Sequence, residues 1–224
     1  MHTREENGWH VPYYETKLSG SCRPYFHVHY RDWDKIKTTI FSIPDKERHT
    51  FIDVGANFGL ISVPAKQYFK RVYAIEPEPI TATCLRYNMD NDTNGMNTGK
   101  HFIYEAAAGR NKDIIDLYGP AEPNTSGYMT TTKQARWHSK KVKQIAIDTL
   151  GLSHCDFMKL DVQGAEMDAI LGAEQTIRLY KPFIYIETKE SWAPMHVLKK
   201  WGYEILYSFA KGHQILNHKR RRLK

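Results

Sequence analysis

What most constrains this chain is a rhythm of short apolar runs separated by stretches of helical spacing. The runs fall at 50–54 (Thr-Phe-Ile-Asp-Val), 71–76 (Arg-Val-Tyr-Ala-Ile-Glu), 101–105 (His-Phe-Ile-Tyr-Glu), 156–161 (Asp-Phe-Met-Lys-Leu-Asp) and 182–187 (Pro-Phe-Ile-Tyr-Ile-Glu). Apolar runs of this length suit buried strands. Between them, Leu60, Ile61 and Val63 open a helical pattern that Pro64 would kink. Ile80, Cys84 and Tyr87 line one face of a second helix, Met167, Ile170 and Leu171 mark a third, and Met195, Leu198 and Trp201 a fourth. Strand alternating with helix implies right-handed βαβ units, a mostly parallel sheet, and ligands at the carboxyl ends of its strands.

Two regions interrupt the rhythm. Residues 113–147 read as a strand (Asp113 to Tyr118), a loop rich in glycine, proline and asparagine (Gly119 to Gly127), a basic stretch, and another strand (Val142 to Ile147). Beyond Trp201, strand-like pieces at 203–208 and 213–217 are joined by Ala210-Lys211-Gly212, a link short enough to require an antiparallel hairpin. Residues 1–46 carry aromatics but no clear period. They are set apart as an N-terminal extension that could help build an acceptor site, followed by a single domain over 47–218 and a basic tail over 219–224. A length of 224 residues suits one domain with a sizeable core.

Composition narrows the classes. No window approaches an uncharged membrane span, and Met1 to Glu6 lacks the apolar region of a signal peptide. Three cysteines, at 22, 84 and 155, and 11 histidines without ligand spacing point away from disulfides or a metal centre and toward a cytoplasmic protein. The net charge of +7 is uneven: five cations stand in the last seven residues, and a second patch runs from Lys133 to Lys143. Such patches favour polyanions, whether nucleic acid, anionic glycan or lipid headgroup; the plainer reading is a solvated tail and an exposed loop.

The chemistry starts where the first strand ends. Asp53-Val54-Gly55-Ala56-Asn57-Phe58-Gly59 misses both the dinucleotide glycine spacing and the phosphate loop. It matches the adenosylmethionine loop, acid-x-Gly-x-Gly-x-Gly, with Asn57 in the middle glycine slot, where asparagine tolerates left-handed backbone. The second strand ends in Glu76-Pro77, placing an acid to accept from the ribose hydroxyls of an adenosine. The fourth runs into Lys159-Leu160-Asp161-Val162-Gln163-Gly164-Ala165-Glu166, followed by Ile170-Leu171-Gly172-Ala173.

Together these three motifs resemble the FkbM-type methyltransferases over about residues 48–190, with Leu160 and Gln163 standing where that family's pattern has Ile and Glu. The resemblance implies a class I, Rossmann-like fold: a mostly parallel seven-stranded sheet with a C-terminal antiparallel hairpin and helices on both faces. It implies S-adenosyl-L-methionine as methyl donor and a hydroxyl acceptor on a sugar or small metabolite. Gly55, Ala56, Asn57 and Gly59 are then expected around the methionine end with Asp53 nearby, Glu76 and Pro77 at the ribose, and Ala107, within Ala106-Ala107-Ala108, beside the adenine. Asp161 is the first candidate for general base or positioning group, against a plain helix cap, and it borders the cofactor site. Glu187 is the second candidate base. Lys159 points to the same strand face as Asp161, as an ordinary ion pair would. Two rival readings are an RNA 2′-O-methyltransferase, for which Asp161, Lys189 and Glu204 could join a Lys-Asp-Lys-Glu tetrad, and a binding module without catalysis. The aromatics Trp9, Tyr13, Tyr14, Tyr128, Trp137 and Trp192 suit either an acceptor pocket or core packing.

Overall fold

The inner strands of the central sheet alternate their side chains between two apolar layers. Thr50–Val54 (β3) sends Phe51 to one face and Ile52 and Val54 to the other, all fully buried. The computed structural model describes residues 3–6, 8–12, 33–91, 99–119, 130–131, 138–188, 191–209 and 212–221. The remaining expected strands follow as Arg71–Ile75 (β4), Lys100–Tyr104 (β5), Phe157–Leu160 (β9), Phe183–Glu187 (β10), Tyr203–Ser208 (β11) and His213–His218 (β12). Their order across the sheet is β11-β12-β10-β9-β3-β4-β5. Only β12 runs against the others, pairing antiparallel with both β10 and β11. The C-terminal hairpin is therefore as expected.

Helices cover both faces. One layer packs Phe51, Val72, Ala74, Phe157 and Phe183 against α1 (residues 33–41), α2 (Ser62–Ala65) and α3 (Pro79–Asp90). The other packs Ile52, Ile75, Met158, Ile184 and Ile186 against α4 (Glu166–Leu171), α5 (Glu174–Tyr180) and α6 (Ala193–Lys200). Tyr87 departs from its expected place on the buried face of α3. It is exposed there, and the face is completed instead by Leu85, Asn88 and Met89. The helix opening at Leu60 is reduced to the four residues of α2, which contains Pro64.

The region that breaks the rhythm forms a second, three-stranded sheet in the order β6-β8-β7, from Ala107–Ala108 (β6), Asp113–Gly119 (β7) and His138–Ile145 (β8). The expected strand at 142–147 thus begins four residues earlier and ends two sooner. Most of the intervening loop, with Tyr128 and Trp137, lies outside the described residues, as do Tyr13 and Tyr14.

The N-terminal extension has regular structure. Thr3–Glu6 (β1) and Trp9–Pro12 (β2) form an antiparallel hairpin, and α1 buries Trp33, Ile36 and Ile40. The hairpin is fastened by Asn88 on α3. Its side-chain amide exchanges two hydrogen bonds with the backbone of His10, at 2.7 and 2.8 Å, and donates to the Phe58 carbonyl at 2.7 Å. Val11, Phe58 and Cys84 close a small core beneath this junction. Asn88→Ala removes a buried partner from three backbone groups and is expected to cost about 1–3 kcal/mol in urea unfolding. An unchanged stability would show that the hairpin is held by its apolar contacts alone.

Candidate active site

At the carboxyl end of the sheet, the strand register lays a row of polar side chains on the face covered by α1–α3. Asp53 of β3 and Tyr185 of β10 both stand opposite Lys159 of β9. One residue pair further on come Asp161, Glu187 and, opposite Glu187, His213 of β12. Parallel pairing made this row: a one-residue slip in any strand would turn its member to the other face.

Lys159 sits at its centre, nearly fully buried. Its ammonium lies 3.1 Å from Asp53 Oδ1 and 3.5 Å from Asp161 Oδ2, and donates to the Gly55 carbonyl at 2.9 Å. Burial alone would pull this amine down, but Asp53 and Asp161 outweigh it and hold Lys159 charged, above the usual lysine range. Asp53 is fully buried below the loop and accepts from Ser62 Oγ at 2.6 Å, which ties β3 to α2.

The loop from Gly55 to Gly59 is shaped by two constraints. A Cβ on Gly55 would lie 1.8 Å from the Asp161 carbonyl oxygen, so glycine is required there by the approach of β9. Asn57 takes the left-handed conformation at φ 52°, and its side chain accepts from the next amide, Phe58, at 2.7 Å. The amides of Gly55 and Ala56 both donate to the Ile75 carbonyl at the end of β4, at 3.0 Å.

Glu76 follows directly. Its buried carboxylate accepts from the Asn57 amide at 2.9 Å and from the Glu78 amide at 3.0 Å, with half-buried Pro77 between the two glutamates. Burial pushes the Glu76 carboxyl up to about 7, against these two N–H bonds, which pull it down. Glu78 caps α3 through the Thr81 amide at 2.7 Å and is ion-paired with Lys140 of β8. Ala107 is buried with Leu117 and Val142 in the core of the small sheet.

Asp161 does not cap α4. That helix starts at Ala165 without a side-chain cap, and Glu166 instead takes the amides of Gly164 and Val162, at 3.0 and 3.3 Å. Gln163, in left-handed backbone at φ 53°, donates its amide to Asp161 Oδ1 at 3.1 Å and to Glu187 Oε2 at 3.3 Å, so one nitrogen bridges both carboxylates. Glu187 also stands 3.1 Å from His213 Nε2. The His213 hydrogen bond pulls the Glu187 carboxyl down, but burial and the nearby Asp161 charge outweigh it and leave it raised.

The structure brings Asp53, Gly55, Ala56, Asn57, Gly59, Glu76, Asp161 and Glu187 to one end of the sheet. Ser62, Gln163, His213 and Tyr185 join them without having been anticipated. The tetrad does not form. Glu204 pairs with Asn217, toward the amino end of β10 and away from Glu187, and Lys189 lies outside the described residues. The basic patches are partly engaged elsewhere: Lys141 pairs with Asp116 at 3.0 Å, and Arg221 stacks 4.8 Å from the Phe183 ring centre. Trp9 packs edge-on against Phe58, whereas Trp192 is exposed.

The family model of the methyltransferase FkbM domain matches residues 53–213, from the acid of the loop to the ring beside Glu187. The chain belongs to the FkbM methyltransferase family. The FkbM structure from Methylobacillus flagellatus KT superposes with a TM-score of 0.51 at 20% identity, covering 76% of this chain and 43% of that one, so this FkbM chain spans less than half of that relative's length. The Escherichia coli protein yhhF superposes with a TM-score of 0.51 at 11% identity, over 96% of this chain and 94% of the other. At such identities the likeness is one of fold, that of class I, Rossmann-like methyltransferases. No curated protein matches the chain.

Family membership makes S-adenosyl-L-methionine the group against which these residues are tested. The donor set fits it at Glu76: two of about four acceptor positions on the carboxylate are taken by backbone N–H groups, leaving the others for a diol. Among the described residues, no group of three or more histidine, cysteine or acidic side chains could hold a metal ion, and no helix is long and apolar enough to cross a membrane.

Glu76 makes stability depend on pH. Its carboxyl titrates near 4.5 when unfolded and near 7 in the native protein, so the native state binds the extra proton between those values. Stability is therefore expected to fall as pH rises from about 4.5 to about 7, by roughly 3 kcal/mol from this group. Glu76→Gln should flatten that part of the profile, whatever it does to absolute stability. Urea titrations at a series of pH values check this, and an unaltered slope would assign the titration to another group.

Proposed function

We propose that this FkbM-family chain transfers a methyl group from S-adenosyl-L-methionine to a hydroxyl of a sugar or other small metabolite. The observation that carries the reading is the carboxylate pair. Asp161 and Glu187 stand at adjacent strand ends, bridged by Gln163, on the same face as the loop and Glu76. When bound, adenosylmethionine supplies a methyl group already activated by its positive sulfonium. What remains for the protein is to place the acceptor oxygen in line, about 3 Å away, exclude water, and receive one proton.

Glu76 accepts the ribose hydroxyls in charge-assisted bonds, and Pro77 stiffens the backbone beside it. The backbone of Gly55, Ala56, Asn57 and Gly59 surrounds the methionine end. Asp53 acts from below, through Lys159 and the Gly55 carbonyl, and the backbone near Ala107 lies against the adenine. Asp161 and Glu187 face the acceptor, with Asp161 also bordering the cofactor.

Pure protein is expected to bind adenosylmethionine in the micromolar range, about −8 kcal/mol. Because ionised Glu76 is the better acceptor and its carboxyl titrates near 7, affinity should be about tenfold higher at pH 8 than at pH 6. Glu76→Ala should weaken binding by roughly ten- to a few-hundred-fold. Calorimetry with no heat up to millimolar cofactor would sink the methyltransferase reading.

Methyl transfer from labelled cofactor to a panel of glycans, small alcohols and capped RNA identifies the acceptor class. Transfer to RNA alone would replace the small acceptor. With the acceptor found, Asp161→Asn should lower turnover by at least about a hundredfold while shifting cofactor affinity far less than Glu76→Ala. Normal turnover would remove Asp161 from the chemistry.

A further inference from the structure

The two carboxylates of the pair have different neighbours. Beside Asp161 stands the Lys159 ammonium, 3.5 Å away and itself held by Asp53 and the Gly55 carbonyl. Beside Glu187 stands an imidazole. His213 Nε2 lies 3.1 Å from Glu187 Oε1, and Nδ1 of the same ring lies 2.6 Å from the hydroxyl of buried Tyr185. An ionised carboxylate can only accept, so in the neutral ring the hydrogen belongs on Nε2, toward Glu187, which leaves Nδ1 to accept from the Tyr185 hydroxyl.

We infer that His213, oriented by Tyr185, is the positioning residue that makes Glu187 the proton acceptor of methyl transfer and leaves Asp161 as a fixed charge. This rests on the reading of Asp161 and Glu187 as the acceptor-facing pair. The register carries it: Tyr185 and Glu187 lie two apart on β10, and His213 stands directly opposite Glu187 on β12, so ring, hydroxyl and carboxylate share one face. The step balances. A lone pair of the acceptor oxygen forms the new O–CH3 bond, the old bonding pair of the methyl group stays on sulfur, and the O–H proton passes to Glu187.

The charged and titratable groups around Glu187 among the described residues are Asp53 of β3, Lys159 and Asp161 at β9, Tyr185 of β10 and His213 of β12. Gln163 is a neutral bridge. Among the described residues one ammonium stands among three carboxylates, and it lies against Asp53 and Asp161. Glu187 is the one without it, at 35% side-chain exposure against 14% for Asp161 and none for Asp53. It is thus both the least committed to the lysine and the most open to an incoming hydroxyl. The His213 Nε2 hydrogen bond favours the ionised carboxylate, against burial and the Asp161 charge, which favour the protonated form.

The test needs no acceptor. In isotopically labelled protein saturated with S-adenosylhomocysteine, the ring nitrogens of His213 and the carboxyl carbon of Glu187 are followed by NMR as pH is varied. The neutral ring should carry its hydrogen on Nε2. His213→Phe should move the Glu187 titration upward by about one to two pH units, and His213→Gln, which keeps an N–H donor, should restore part of the shift. Tyr185→Phe, the milder change, should move it in the same direction by less and serves if His213→Phe does not fold. A hydrogen on Nδ1 alone, or a Glu187 titration indifferent to His213→Phe and Tyr185→Phe, overturns the inference.

The two readings are separated by methyl transfer to the acceptor found in the panel. Glu187→Gln should slow turnover by roughly 10²–10⁴-fold. If Asp161→Asn slows it while Glu187→Gln does not, Asp161 is the base and the role given to His213 is wrong, with the proposed function intact. If neither slows it, the carboxylate pair itself lies outside the chemistry.

Discussion

One buried ammonium organises the site. Lys159 neutralises Asp53, which has no access to water, braces Asp161, and fixes the Gly55 carbonyl that opens the loop. Loss of its charge would leave a carboxylate sealed in the apolar layer with the Ser62 hydroxyl but no counter-ion, a change that costs several kcal/mol in proteins. The lysine therefore couples the sheet to the loop. The strands can pair in their observed register only if Lys159 meets Asp53 and Tyr185 together.

Around that centre the site is held before any ligand arrives. Glu76 links the left-handed turn at Asn57 to the start of α3 through two amides, and Glu78, one turn back from Thr81, receives Lys140 from the small sheet. The N-terminal hairpin reaches the same loop through Asn88 and the carbonyl of Phe58. Parts of the chain remote in sequence are thus tied to the loop and to the strand end beside it. Preorganisation of this kind lowers the ordering cost of binding.

How much of this was legible depends on where the determinant lay. The inner strands β3, β9 and β10 are plain because they are buried on both sides and so read as continuous apolar runs. Asp53, Glu76, Asp161 and Glu187 were legible because a parallel sheet gathers its carboxyl ends, so an acid closing each run is placed by topology. His213 was not. It lies on the antiparallel strand, where the site meets an amino end, and its partnership with Glu187 exists only through the β10–β12 register. Gly55 also answers to a constraint that the loop spacing does not carry, since a Cβ there would meet the Asp161 carbonyl oxygen. The helix at residues 33–41 buries Trp33, Ile36 and Ile40, too few turns to show a period within an extension rich in aromatics. Tyr87 has the helical spacing of a core residue, but its ring lies 4.4 Å from that of His10 at the surface.

The pairing of β3 with β9 also has a kinetic consequence. The strands that meet at Lys159 are separated by a hundred residues and more of chain, as the bonds from Lys159 to Gly55 and from Asp156 to His49 show with separations of 104 and 107. The β3–β4–β5 half that carries the loop and Glu76 closes through short connections, whereas the charge cluster waits for a long loop closure. During synthesis the first half is complete long before β9 exists, and until β9 docks Asp53 has no counter-ion. The acid that the folded protein buries most deeply is thus expected to keep that half open to water, and so to delay consolidation of its core until the lysine arrives.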